Sequence, residues 1–199
     1  LRVFRKMMRF TCFVSFPAMF GLSLVAPELI VITITAKWIA SAQILQILSI
    51  GGAFIPIINL CSNLLISKGK SNIYMWNTIC LVTIQLITVL LLHPLGIYTM
   101  ITVYVIINIT WLLIWHHFVQ KVINYSLFDF VKDLFPYLFI AVGSMTIAYI
   151  CTSHCTDIFL RFASKFGIAA SLYIFIMWLS GSTTFKESVN FIFKRTKSV

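Results

Sequence analysis

Residues 71–120 contain no Asp, Glu, Lys or Arg. Fifty consecutive residues without a charge exclude a water-soluble domain, because the stretch lacks the polar surface to face solvent on even one side. A bilayer accommodates it. About 20 apolar residues at 1.5 Å rise span the hydrocarbon core, so the stretch makes two crossings. His93-Pro94-Leu95-Gly96 sits where the turn between them belongs. Charge is scarce throughout, at 10% of residues, where ordinary globular chains carry about 25%. Acid is scarcest: Glu28, Asp129, Asp133, Asp157 and Glu187 are all there is, and they form no catalytic constellation. The odd cysteine count (Cys12, Cys61, Cys80, Cys151 and Cys155) argues against a disulfide framework. Three of these lie in apolar runs, where Cys behaves as a small buried hydrophobe. No signal peptide is visible.

What is present is apolar. The chain is 60% hydrophobic with a mean hydropathy of +1.00, and reads as an integral membrane unit. It begins at Leu1, which suggests the C-terminal portion of a longer protein or a processed N-terminus. Six crossings can be drawn, at residues 8–34, 41–67, 72–92, 97–118, 134–153 and 166–179. The first contains Pro17 and is expected to break near Ala26-Pro27-Glu28. Helix is the assignment, because backbone groups in lipid must be satisfied within the segment or in a closed barrel, and barrel strands are shorter and alternate. The predicted fold class is therefore all-α, a polytopic membrane bundle with six transmembrane helices.

The net charge of +10 lies in short loops at helix ends, which points to membrane topology and not to nucleic acid. With the N-terminus in the cytoplasm, the cytoplasmic segments hold twelve basic residues, including Arg2, Arg5, Lys6, Arg9, Lys68, Lys70, Lys121 and Lys132. The other side holds three: Lys37, Arg161 and Lys165. This asymmetry places both chain ends in the cytoplasm. Trp38, Tyr74, Trp76, Trp111, Trp115 and Trp178 fall near span ends, where amphipathic rings prefer to sit. Residues 125–133 alternate apolar and charged positions and are expected to lie flat on the cytoplasmic face.

Few positions can carry chemistry. Glu28 is an ionisable residue near a membrane core and hence a functional candidate; the plainer reading is an interfacial carboxylate at a helix break. Cys151-Thr152-Ser153-His154-Cys155 offers zinc-type ligands but no fourth ligand or supporting shell, so no metal is assigned. His116 and His117 read as interfacial polar residues. The second crossing is richer. Gly51 and Gly52 permit close helix approach, and Pro56 removes a backbone hydrogen bond, so these and Pro17 are candidate helix hinges. Asn59, Ser62 and Asn63 form one stripe. Amides there, with Asn77 and Gln85 on the third crossing, either hold helix to helix or line a wet passage. No cofactor is implied.

Two stretches carry a family resemblance. One is FTCFVSFPAMFGLSLVAPELI, residues 10–30. The other is Lys37-Trp38 followed by QILQILSIGGAFIPIINLCSNLLISKGKSNIYMWNT, residues 43–78. Together they resemble the C-terminal half of bacterial polysaccharide flippases of the multidrug/oligosaccharidyl-lipid/polysaccharide (MOP) superfamily, the lipopolysaccharide biosynthesis branch in particular. Thr35 and Ala36 depart from that pattern, which often has Gly and an acidic residue before Lys-Trp. The resemblance implies a MATE-like fold of two lobes and two extra helices. Residues 1–120 would form the four-helix part of the C-terminal lobe; 121–199 would give the interfacial segment, the last two helices and a basic cytoplasmic tail. It also implies a non-enzymatic transporter in the bacterial cytoplasmic (inner) membrane. Such a protein flips polyprenyl-pyrophosphate-linked oligosaccharide (O-antigen, capsular or exopolysaccharide repeat units) by alternating access. Its partners would be the lipid-linked oligosaccharide, membrane lipids and other polysaccharide assembly proteins. The competing readings are a multidrug or cation antiporter of the same fold, and a membrane-embedded glycan acyltransferase or polymerase.

Overall fold

The computed structural model describes residues 1–153 and 157–179. Among the described residues every regular element is helical. Seven α-helices build six crossings: α1 (Arg2–Thr33), α2 (Ile39–Gly52), α3 (Ile55–Ser67), α4 (Ser71–Leu92), α5 (Ile97–Ile123), α6 (Leu127–Cys151) and α7 (Ile158–Leu179). α2 and α3 together make the second crossing. All six are long and apolar enough to span a bilayer, as the composition requires. The turn at His93–Leu95 closes on Gly96, whose φ of +90° is open to glycine and costly for other residues.

The chain packs around α1. Phe4, Met8, Cys12, Phe16 and Phe20 recur every fourth residue and are all buried. Side chains four apart lie one above another on a helix, so these five form a single ridge. Ile57, Cys61 and Leu65 on α3 repeat the spacing, as do Ala169, Tyr173 and Met177 on α7. These ridges join residues of α5 and α6 in one core. α2 and α3 pack on one side of α1, with α5 behind them, and α6 and α7 pack on the other. α4 is outermost, touching α3 and α5, and Asn77 is its one buried residue.

Two expectations about continuity are corrected. The first crossing does not break at Ala26-Pro27-Glu28: α1 runs unbroken for 32 residues with Pro17 and Pro27 inside it. Proline is tolerated within membrane helices because neighbouring groups compensate the freed backbone acceptor. Residues 125–133 do not form a separate surface segment either. Ser126 caps α6 by accepting the Phe128 N–H, and the helix then continues through Pro136 to Cys151.

The real interruption lies in the second crossing. α2 ends at Gly52, and α3 starts at Ile55 with Pro56 in its first turn. The Ile57 N–H turns to Phe54 O, and Ala53 O instead accepts the Ser15 hydroxyl from α1 at 2.8 Å. A backbone group left over at the break is thus satisfied across the helix interface. The glycines beside it permit close approach. A Cβ on Gly51 would lie 2.9 Å from Val105 Cγ2 of α5, whereas Gly143 and Gly167 have nothing within 4 Å of that position.

Gly51→Ala is therefore expected to destabilise the α2–α5 contact by about 1–3 kcal/mol through overpacking. Gly167→Ala should leave stability unchanged or slightly raised. Thermal unfolding in detergent, comparing the two variants with the parent, checks both.

Candidate functional site: buried ion pairs beside a cleft

Glu28 is 4% exposed. Because α1 continues past Pro27, its carboxylate turns into the bundle and meets α7. Lys165 Nζ donates to Glu28 Oε1 at 2.7 Å and to the Leu24 carbonyl at 3.3 Å. Nζ also sits 5.5 Å from the centre of the Tyr149 ring of α6, within cation–π range. Arg161 Nε lies 3.7 Å from the same carboxylate oxygen. Two cations thus share one acid, leaving the cluster with a net charge of +1. The expectation of a helix break at this carboxylate is overturned, and the carboxylate is buried in the bundle. A lone charge here would carry an uncompensated desolvation cost, which is why the partner is an ion and not a dipole.

Lys165 also lines a cleft of about 530 Å³ between α1, α2, α6 and α7. Its other polar walls are Ser23, Gln46, Thr146 and Tyr149. Ser23 and Gln46 are held in place reciprocally. The Gln46 side-chain amide donates to Ser23 O at 3.2 Å, and the Ser23 hydroxyl donates to Gln46 O at 3.3 Å. A second cavity of about 250 Å³ lies between α1, α6 and α7 and is almost wholly apolar, lined by Pro17, Gly21, Phe166 and Tyr173 among others. The two share Leu24 and Met145, so a mostly apolar cleft with a few polar groups adjoins an oily groove.

The other end of α1 carries a second ion network. Asp133, 2% exposed, accepts Arg5 through Nε at 2.7 Å and Nη2 at 3.0 Å. It also accepts Arg9 through Nη2 at 2.6 Å and the Tyr125 hydroxyl at 2.9 Å. Asp129 stands 3.4 Å from Arg5. Burial, reinforced by the Asp133 carboxylate, pushes the Tyr125 phenol above its ordinary pKa, so it stays a donor to Asp133 well into alkaline pH. Asn124 places this tyrosine by ending α5 in the left-handed conformation, with φ 51°. His116, also buried, lies 4.6 Å from the Phe130 ring and 5.7 Å from the Tyr125 ring, so it packs beside this network.

The four amides singled out in the sequence do not converge. Asn59 and Asn63 are exposed on α3. Asn77 is buried and accepts the Trp111 indole N–H at 2.8 Å, a helix-to-helix bond between α4 and α5. Gln85 is half-buried on α4. None lines either cavity described above. Of the hinge candidates, Gly51, Gly52 and Pro56 flank the break in the second crossing, while Pro17 lies inside unbroken α1 and lines the apolar groove. Among the described residues no three His, Cys, Asp or Glu side chains gather to hold a metal. His154 and Cys155 lie outside the described residues, as does the basic tail. Sequence reasoning missed Lys165, Asp133, Gln46 and Tyr149. The available signal was a lysine seven residues inside an apolar helix, opposite in sign to Glu28.

No family model matches the chain, and no solved structure matches it. Among curated proteins it is similar to the teichuronic acid biosynthesis protein TuaB of Bacillus subtilis (strain 168). The two are 25% identical over 179 residues, covering 87% of this chain and 37% of that protein. The chain therefore spans a little over a third of the length of the relative it matches.

Tyr125→Phe removes one charge-assisted hydrogen bond from a buried carboxylate that keeps two arginines. A loss of about 1.5–3 kcal/mol is expected, read from unfolding in detergent near neutral pH. The raised phenol pKa sets the sign of the pH effect. Its contribution is fully present below the unfolded tyrosine pKa of about 10 and fades only above it. The gap between variant and parent should therefore be constant from pH 6 to about 9.

Proposed function

We propose that this chain forms one lobe and the two extra helices of a membrane transporter. It would move polyprenyl-pyrophosphate-linked oligosaccharide across the bacterial cytoplasmic membrane during polysaccharide biosynthesis. The observation that carries this reading is the likeness to a teichuronic acid biosynthesis protein along most of the chain. The proposed orientation follows the basic loops, with both chain ends and the Arg5–Asp133 network on the cytoplasmic side.

The cavities support the reading on chemical grounds. A glycan carried on a lipid pyrophosphate presents hydroxyls and negative charge, which hydrocarbon cannot satisfy. The cleft offers hydroxyl and amide groups at Ser23, Gln46, Thr146 and Tyr149, beside a cluster of net positive charge. The adjoining apolar groove suits the prenyl chain. Asn59 and Asn63, exposed on α3, are proposed to face the passage between lobes, with Asn77 and Gln85 behind them on α4. The break between α2 and α3 supplies the bend that rocking of lobes requires, with Gly51, Gly52 and Pro56 as the joint. Glu28 is engaged by Lys165 and Arg161, which disfavours a coupling-carboxylate role of the kind a drug antiporter needs.

The test uses the full-length protein in vesicles with a lipid-linked oligosaccharide whose glycan is accessible on one face only. Translocation is expected to fall about tenfold or more in Gln46→Leu, from lost polar contacts worth about 1–3 kcal/mol, and in Asn59→Leu with Asn63→Leu. Membrane insertion should be unaffected. Export of cationic drugs with no movement of the glycan lipid would replace this reading by the antiporter. Unchanged translocation in the Asn59/Asn63 pair would return those amides to packing.

A further inference from the structure

The two ion networks lie near opposite ends of one helix. Arg9 and Glu28 are nineteen residues apart on α1, about 28 Å at 1.5 Å per residue, which matches the hydrocarbon thickness. Residues 10–27 between them carry no charge. At one end Arg5 and Arg9 hold Asp133 of α6, and at the other Glu28 holds Lys165 of α7. α7 is tied to α1 at an intermediate depth as well, where the Tyr173 hydroxyl donates to Phe13 O at 2.9 Å. α6 and α7 pack on each other along their length.

We infer that α6 and α7 are locked in register to α1 by ion-pair clamps at the two ends of the membrane span, so that the three helices form one rigid unit. A slide of one helical turn, about 5.4 Å, would separate Lys165 from Glu28 or Asp133 from its arginines and leave buried charges unpaired. α2 and α3 meet α1 on its opposite side. The fixed contacts there are neutral, Ser15 to Ala53 O and the Ser23–Gln46 exchange, and the break at Ala53 and Phe54 lies on that side. Bending of the second crossing would therefore break neither ion-pair clamp.

A double-mutant cycle on the full-length protein in detergent tests this, read by amide hydrogen exchange along residues 158–179. It does not depend on any transport activity, so its failure and a failure of the transport reading are distinguishable. Glu28→Gln and Lys165→Met should each raise exchange in α7 by about tenfold or more, because the first leaves buried Lys165 without its acid and the second leaves Glu28 only the longer contact to part-exposed Arg161. The double variant should exchange no faster than either single, since both members of the buried Lys165–Glu28 pair are then neutral and the remaining Arg161 is 39% exposed. Unchanged exchange in both singles overturns the inference, as does a double variant whose effect is the product of the two. If the singles are not recovered from the membrane, yield becomes the readout. Recovery of the double variant above the singles supports the clamp, and recovery at or below them overturns it.

Discussion

A charge carried on a helix inside a bilayer has no water to return to, and that constraint organises the bundle around α1. Arg5 and Arg9 are answered by Asp133, and Glu28 is answered by Lys165. Each answer comes from another helix. Since a neutral dipole repays little of an ion's lost hydration, each pairing specifies which helix must lie beside α1 and at what depth. Apolar packing alone is less specific, because lipid tails are as apolar as the side chains they replace.

Between the charged ends the physics is packing. Phe4, Met8, Cys12, Phe16 and Phe20 give α1 a ridge that is bulky except at Cys12, and α3 and α7 offer ridges of the same four-residue period. Where α2 gives way to α3, the backbone cannot satisfy itself and the Ser15 hydroxyl of α1 completes it. The same local rule, that a polar group in oil gains from a partner, accounts for the Ala53 carbonyl and the Trp111 indole N–H, while the buried Trp115 indole N–H has no hydrogen-bond partner among the described residues. It also explains why polar side chains line the cleft beside Lys165. Ser23 and Gln46 secure each other through backbone carbonyls and still line the cleft wall.

The spans were legible because their cause is composition. The third crossing, read at residues 72–92, is α4, and Gly96 ends the turn where the charge-free stretch was divided. The misreadings have physical causes. Pro27 beside Glu28 looks like a break because in water a mid-helix proline and an acid usually end the apolar run; in the bundle, the acid is paid for by Lys165, 137 residues away. The alternation at residues 125–133 looks interfacial because Asp129 and Asp133 seem to need water, yet Asp133 finds two arginines and a phenol instead. Asn77 was open to two readings, and its bond from Trp111 is of the helix-to-helix kind. From one strand of text, a polar side chain aimed at a neighbour and one aimed at a channel are the same letter.

The sequence by itself determined that this chain is helical, crosses the membrane six times, and turns where it does, since lipid permits no other fate for long uncharged runs. Only the tertiary structure decided that Glu28 is buried, that Lys165 faces it, and that the cleft beside Lys165 and the oily groove share a wall at Leu24 and Met145. Span and turn depend on the local transfer of side chains from water to oil. Pairing depends on which distant helix arrives at the same depth, and no local pattern records that.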